Sequence, residues 1–159
     1  MHGDTAAARQ AATRALGWYR ARSTDERSTF EERLIAVWSL EMIGAAAEAE
    51  RNIRTLILQD TANIDYRGAL GGLAAERGDT ALADSIDGWL GRQTGDQVGW
   101  SASFYRARNE ALLGRRSDAV ARLRDAIDHG AWPMYLHIDP ALAGVRALHA
   151  PVAVTARRD

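Results

Sequence analysis

Residues 105–130, YRARNEALLGRRSDAVARLRDAIDHG, decide how the chain is read. Tyr105 to Leu113 is a mixed apolar and basic run, Gly114 ends it, and Ser117 is placed to cap the helix that follows. In that second helix Ala119, Leu123, Ala126 and Ile127 recur at spacings of four, three and one, a single apolar stripe. A hairpin this short cannot bury its stripe alone and must stack on a neighbour.

Moved back along the chain, the hairpin finds copies of itself. Gly114 precedes Ala119 by five residues, and Gly78 with Ala83 and Gly44 with Ala49 keep that interval. The glycines lie 34 and 36 residues apart, each between two helical patterns. An incomplete copy stands at the start, with Gly3 and Ala8, 41 residues ahead of Gly44. The reading is one all-α domain over residues 1–159. It has a leading half unit (about 4–20), three helix pairs (29–60, 63–93 and 100–130) and a capping tail (131–159).

The elements follow. Asp4 can cap the leading helix, whose stripe is Ala8, Ala12, Ala15, Leu16 and Tyr19. Ser28 with Glu31, or Thr29 with Glu32, makes a capping box for a helix over Phe30–Ile43 that is apolar on nearly every side. Its partner, Ala46–Gln59, is amphipathic through Ala49, Ile53, Leu56 and Ile57. The next pair, Ile64–Arg77 and Thr80–Arg92, opens with a weak helix. Gly68, Gly71 and Gly72 each cost about 1 kcal/mol against alanine there, and close approach of a neighbouring backbone is the simplest reason for them. Trp100–Leu113 and Ser117–His129 complete the last pair. In the tail, Asp139 as N-cap and Pro140 at the first position start a short helix, Ala141–His149. Leu142, Val145 and Leu148 in it can cover the last stripe.

Composition narrows the function. There is no cysteine, hence no disulfide framework and no thiol nucleophile. No apolar run is long enough for a membrane span and the first residues lack a signal-peptide core, so a cytoplasmic protein is expected. The net charge of −1 gives no general attraction to nucleic acid or membrane lipid. Every one of the 20 basic residues is arginine, which suits a GC-rich bacterial genome. His2, His129, His137 and His149 form no metal-binding or catalytic spacing, and no nucleophile elbow or phosphate loop is present. No catalytic residue, metal or cofactor is expected.

The 34-residue period, the paired helices and the small residues at fixed offsets resemble the tetratricopeptide repeat (TPR) family. Gly71 and Ala107 match its small residue in the first helix. Gly44, Gly78 and Gly114 match its turn glycine, and Ala49, Ala83, Ala119 and Ala126 its second-helix alanines. Arg33, Arg67 and Ser103 stand where the family has a large aromatic, and its closing proline is missing. The resemblance covers about Gly3 to Gly130 and implies a short right-handed superhelix whose first helices line a concave face. It places Glu31, Leu34, Trp38, Glu41, Gly68, Gly72, Phe104 and Arg108 on that face. Trp38 and Phe104 are then either anchors for a bound peptide or core residues between helices. The family's clamp for an acidic peptide terminus is not implied, since Leu34, Gly68 and Phe104 replace its Lys and Asn. The leading helix lacks a first partner, so it either packs alone or the chain is part of a longer protein; the second is expected.

The function expected is a non-catalytic scaffold that binds a protein or peptide segment, of unknown identity and with an unknown oligomeric state. The alternative is a regulatory or sensor region of a larger bacterial signalling or transcription protein.

Overall fold

The computed structural model describes residues 5–22, 30–93, 98–132, 134 and 139–146, and these form helices and turns with no strand among them. The all-α expectation holds. The chain divides into two compact units, Met1–Tyr66 and Arg67–Asp159.

The first unit contains α1 (Thr5–Ala21), α2 (Phe30–Met42) and α3 (Ala46–Gln59). Helix α2 packs against both α1 and α3, which is why it is apolar on more than one face. Leu34, Ala36, Val37 and Leu40 are its buried apolar residues among those described, and Ser39 is buried with them. Ala12 and Leu16 of α1 and Ala49 and Ile53 of α3 are also buried, each pair spaced by one helical turn. The expected caps Asp4, Ser28 and Thr29 lie outside the described residues.

The second unit contains α4 (Ile64–Glu76) from Arg67 onward, α5 (Thr80–Leu90), α6 (Ser101–Leu112) and α7 (Arg116–Asp128). A 3₁₀ turn, Pro140–Leu142, then leads into α8 (Ala143–Arg146). Ala74, Ala75 and Ala83 form a buried cluster, with Leu82, Leu112 and Leu113 packed against it. Leu90, Leu123, Ala126, Leu142 and Val145 are buried as well. Leu148 lies outside the described residues.

The repeat seen in the sequence exists at the level of hydrogen bonds. Gly44, Gly78 and Gly114 have φ of 84°, 79° and 76°. The residue after each closes the same six-residue turn. Ala45 N donates to Leu40 O at 2.8 Å, Asp79 N to Ala74 O at 2.9 Å and Arg115 N to Glu110 O at 2.8 Å. Such a left-handed closure favours glycine, because a Cβ there meets the following carbonyl. Five residues beyond each glycine, Ala49, Ala83 and Ala119 are 0%, 1% and 0% exposed. Gly130 repeats the closure at the end of α7, through Ala131 N to Ala126 O at 2.9 Å.

Ser117 is not the cap of the last helix. The closure at Arg115 leaves only Leu113, Gly114 and Arg115 between α6 and α7, so α7 begins at Arg116, its N-cap is Arg115, and no side-chain hydrogen bond caps it. The equivalent position before α5 is Asp79, whose side chain does accept from Leu82 N. Arg115 instead reaches α5, where both its terminal nitrogens meet the Asp84 carboxylate.

Two glycine substitutions should act in opposite directions in urea unfolding. Gly114→Ala is expected to destabilise by about 1 kcal/mol or more, because alanine is strained at this φ. Gly17→Ala, in helix α1 with nothing within 4 Å of an added Cβ, is expected to stabilise by up to about 1 kcal/mol.

Candidate functional site

The glycines of α4 form a notch. Gly68, Gly71 and Gly72 lie three and four residues apart, which puts them on one helical face. Tyr105, Arg108 and Asn109 have the same spacing on α6 and form the ridge that enters it. A methyl group on Gly68 would stand 2.1 Å from Tyr105 Cγ, one on Gly71 2.3 Å from Asn109 Nδ2, and one on Gly72 1.8 Å from Arg108 Nη1. The glycines therefore admit side chains of α6, not the neighbouring backbone expected from sequence. Gly71 also lies close to Ile86 of α5.

Three successive polar residues of α6 are buried: Arg108, Asn109 and Glu110 are 7%, 1% and 6% exposed. They point to different partners. Arg108 Nε lies 3.2 Å from Asp139 Oδ2, and its Nη2 lies 3.9 Å from Glu76 Oε1. Asn109 fills the notch at Gly71, and neither amide atom has a hydrogen-bond partner among the described protein groups. Glu110 Oε1 is 3.8 Å from Arg122 Nε of α7, beyond hydrogen-bond reach. Burial raises the pKa of Glu110 above the usual carboxylate range. The Asp87 charge adds to this and Arg122 opposes it.

The eight residues assigned to a concave face divide between the two units. In the first unit Leu34 is buried, Glu41 is half-buried and Trp38 is 39% exposed. The side chain of Glu31 lies outside the described residues. Ile35, three residues before Trp38 on α2, is 42% exposed and was not singled out in the sequence. In the second unit Gly68 and Gly72 are covered by Tyr105 and Arg108. Phe104 is buried between edge-on contacts to Trp100 and Tyr105, each with ring centroids 5.6 Å apart. Arg108 is buried in its ion pairs. Of the eight, Trp38 offers the largest exposed apolar side chain.

Sequence reasoning also missed an open cleft of about 610 Å³ in the second unit, bounded in part by Leu90, Gly91, Val98, Ala102 and Ser103. Its polar rim is internally satisfied. Arg106 is bidentate to Asp87 at 2.9 and 3.0 Å, and those bonds raise its pKa further. Ser103 donates to Asp125, and His129 Nδ1 lies 2.8 Å from the Asp125 carbonyl. The one signal in the sequence was Ser103 itself, a small residue where the resemblance calls for a large one. Among the described residues no group of three or more His, Asp or Glu is placed to hold a metal ion.

Comparison of the chain with family models, with curated proteins and with solved structures finds no match.

The raised pKa of Glu110 has a definite sign. The folded chain binds this proton more tightly than the unfolded chain, so Glu110 destabilises the fold when ionised. That penalty is relieved as pH falls through the folded pKa. Glu110→Gln is expected to be neutral to stabilising at pH 7. It should also flatten the pH dependence of unfolding free energy on the acid side of neutrality, measured by urea titration at a series of pH values.

Proposed function

We propose that this chain is a non-catalytic protein-interaction module of a bacterial cytoplasm. We read it as a TPR-like solenoid of helical hairpins that binds a segment of another protein. The solenoid reading is supported by the three turns at Gly44, Gly78 and Gly114, which share one hydrogen-bonded closure and one buried alanine at the same offset. Among the described residues no helix is long and apolar enough to cross a membrane.

The single observation that carries the interaction reading is the apolar arc left open on α2. Ile35 and Trp38 stand one turn apart and are 42% and 39% exposed, on a helix whose Leu34, Ala36, Val37 and Leu40 are buried. A tryptophan so placed supplies a large contact area with few rotatable bonds, the usual profile of an interface anchor. Against catalysis stands the order of groups at the cleft. A nucleophile–base relay needs the imidazole between hydroxyl and carboxylate, whereas Ser103 bonds Asp125 directly and His129 bonds the Asp125 backbone.

Peptides selected on the full chain from a random display library provide the test. Trp38→Ala is expected to weaken selected ligands by about tenfold or more, equivalent to about 1.4 kcal/mol. Its unfolding free energy should stay within about 1 kcal/mol of the parent. Phe104→Ala, by contrast, is expected to lose about 3–5 kcal/mol of stability as a core truncation. Ligands that bind Trp38→Ala and Ile35→Ala as tightly as the parent would remove the α2 face as the binding site.

A further inference from the structure

Each polar group on the rim of the cleft in the second unit has a partner, but the charges there are not equally spent. On one side, Arg106 gives two nitrogens to Asp87 at 2.9 and 3.0 Å. Its third, Nη1, lies 3.1 Å from where a Cβ on Gly91 would stand. The two side chains are 17% and 20% exposed and neutral as a unit. An incoming anion would have to break a bidentate contact to reach the guanidinium.

On the other side stands Asp125, with its side chain 46% exposed. Its Oδ2 accepts the Ser103 hydroxyl. Its Oδ1 has the His129 ring nitrogen at 3.4 Å, and that nitrogen lies nearer, at 2.8 Å, to the Asp125 carbonyl. Among the described residues this imidazole is the one ion-pair contact of the carboxylate. An ionised carboxylate accepts about four hydrogen bonds, so Asp125 keeps acceptor capacity and charge to spare.

Two helix ends reinforce the negative side. Leu90 and Gly91, the last residue and C-cap of α5, line the cleft, as do Asp125 in the last turn of α7 and His129 at its C-cap. A helix C-terminus carries partial negative charge, and neither helix has a basic residue in its last turn. The rest of the lining includes the apolar side chains of Leu90, Val98 and Ala102. The volume of about 610 Å³ falls in the range of sites for small organic ligands, about 300–1,000 Å³.

We propose that this cleft binds a small organic cation, a protonated amine carrying an apolar group. The ammonium lies at the Asp125 carboxylate, and the apolar group covers Leu90, Val98 and Ala102. Ser103 is a positioning residue that holds the carboxylate through its hydroxyl, while the closed Arg106–Asp87 pair leaves no free cation for an anionic ligand. The site lies wholly in the second unit and is independent of the α2 face.

Isothermal titration calorimetry of the full chain with 2-phenylethylamine tests it at neutral pH, where the probe is an ammonium ion. The amine is expected to bind saturably, at least about tenfold tighter than 2-phenylethanol, which has the same apolar group without the charge. Asp125→Asn should weaken the amine by about tenfold or more and leave the alcohol unchanged. Ser103→Ala should shift the two probes in the same unequal way, by a few-fold. No saturable binding of the amine, equal affinity for amine and alcohol, or parent-like affinity in Asp125→Asn would each overturn the proposal. Binding of the blocked tripeptide Gly-Lys-Gly as tightly as the amine would assign the cleft to lysine side chains of a protein, and would overturn the small-ligand assignment.

Discussion

The second unit depends on a notch. Three glycines on one face of α4 let the ring of Tyr105, the amide of Asn109 and the guanidinium of Arg108 lie where methyl groups would otherwise stand. Glycine inside a helix weakens it by about 1 kcal/mol per residue against alanine, so α4 is a poor helix on local grounds. The side chains of α6 compensate by filling the groove the glycines leave, and dispersion contacts of a ring and two planar polar groups replace those of missing methyls. Local propensity and tertiary packing conflict in α4, and packing prevails.

That arrangement accounts for the polar character of the α6 seam. Large planar groups fit a glycine groove, but Arg108 and Glu110 then come out of water and need partners. Arg108 finds its carboxylate on the segment that follows α7, which ties the α4–α6 seam to the end of the described chain. Glu110 finds Arg122 only at 3.8 Å, so its ionised form is under-solvated. The buried ion pairs add little net stability by themselves.

Much of this was legible in the sequence, because the signals were local. The intervals from Gly44, Gly78 and Gly114 to their alanines fixed three turns, and the structure gives all three the same closure. The boundaries of α3 agree residue for residue, and the Asp139-Pro140 start of the last helical turn is as read. Signals that depend on distant contacts were not legible. The spacing of Gly68, Gly71 and Gly72 showed that something approaches α4, but not that it was the side chains of α6. Arg108 and Phe104 carry no mark in the sequence that separates a groove residue from a buried one; their burial is decided by Gly72, Asp139, Trp100 and Tyr105. Ile35 looked like one more apolar residue on a helix apolar all round, and its exposure follows only from where α1 and α3 leave α2 uncovered.

A double-mutant cycle on Gly68 and Tyr105, read by urea unfolding of the full chain, tests the notch most directly. Gly68→Ala alone is expected to destabilise by about 2 kcal/mol or more, since the ring must move. In the Tyr105→Ala background the same change should become neutral or stabilising, giving a coupling above about 1 kcal/mol. Additive effects within about 0.5 kcal/mol would show that Tyr105 does not occupy the space the glycine leaves, and would contradict this account of the seam.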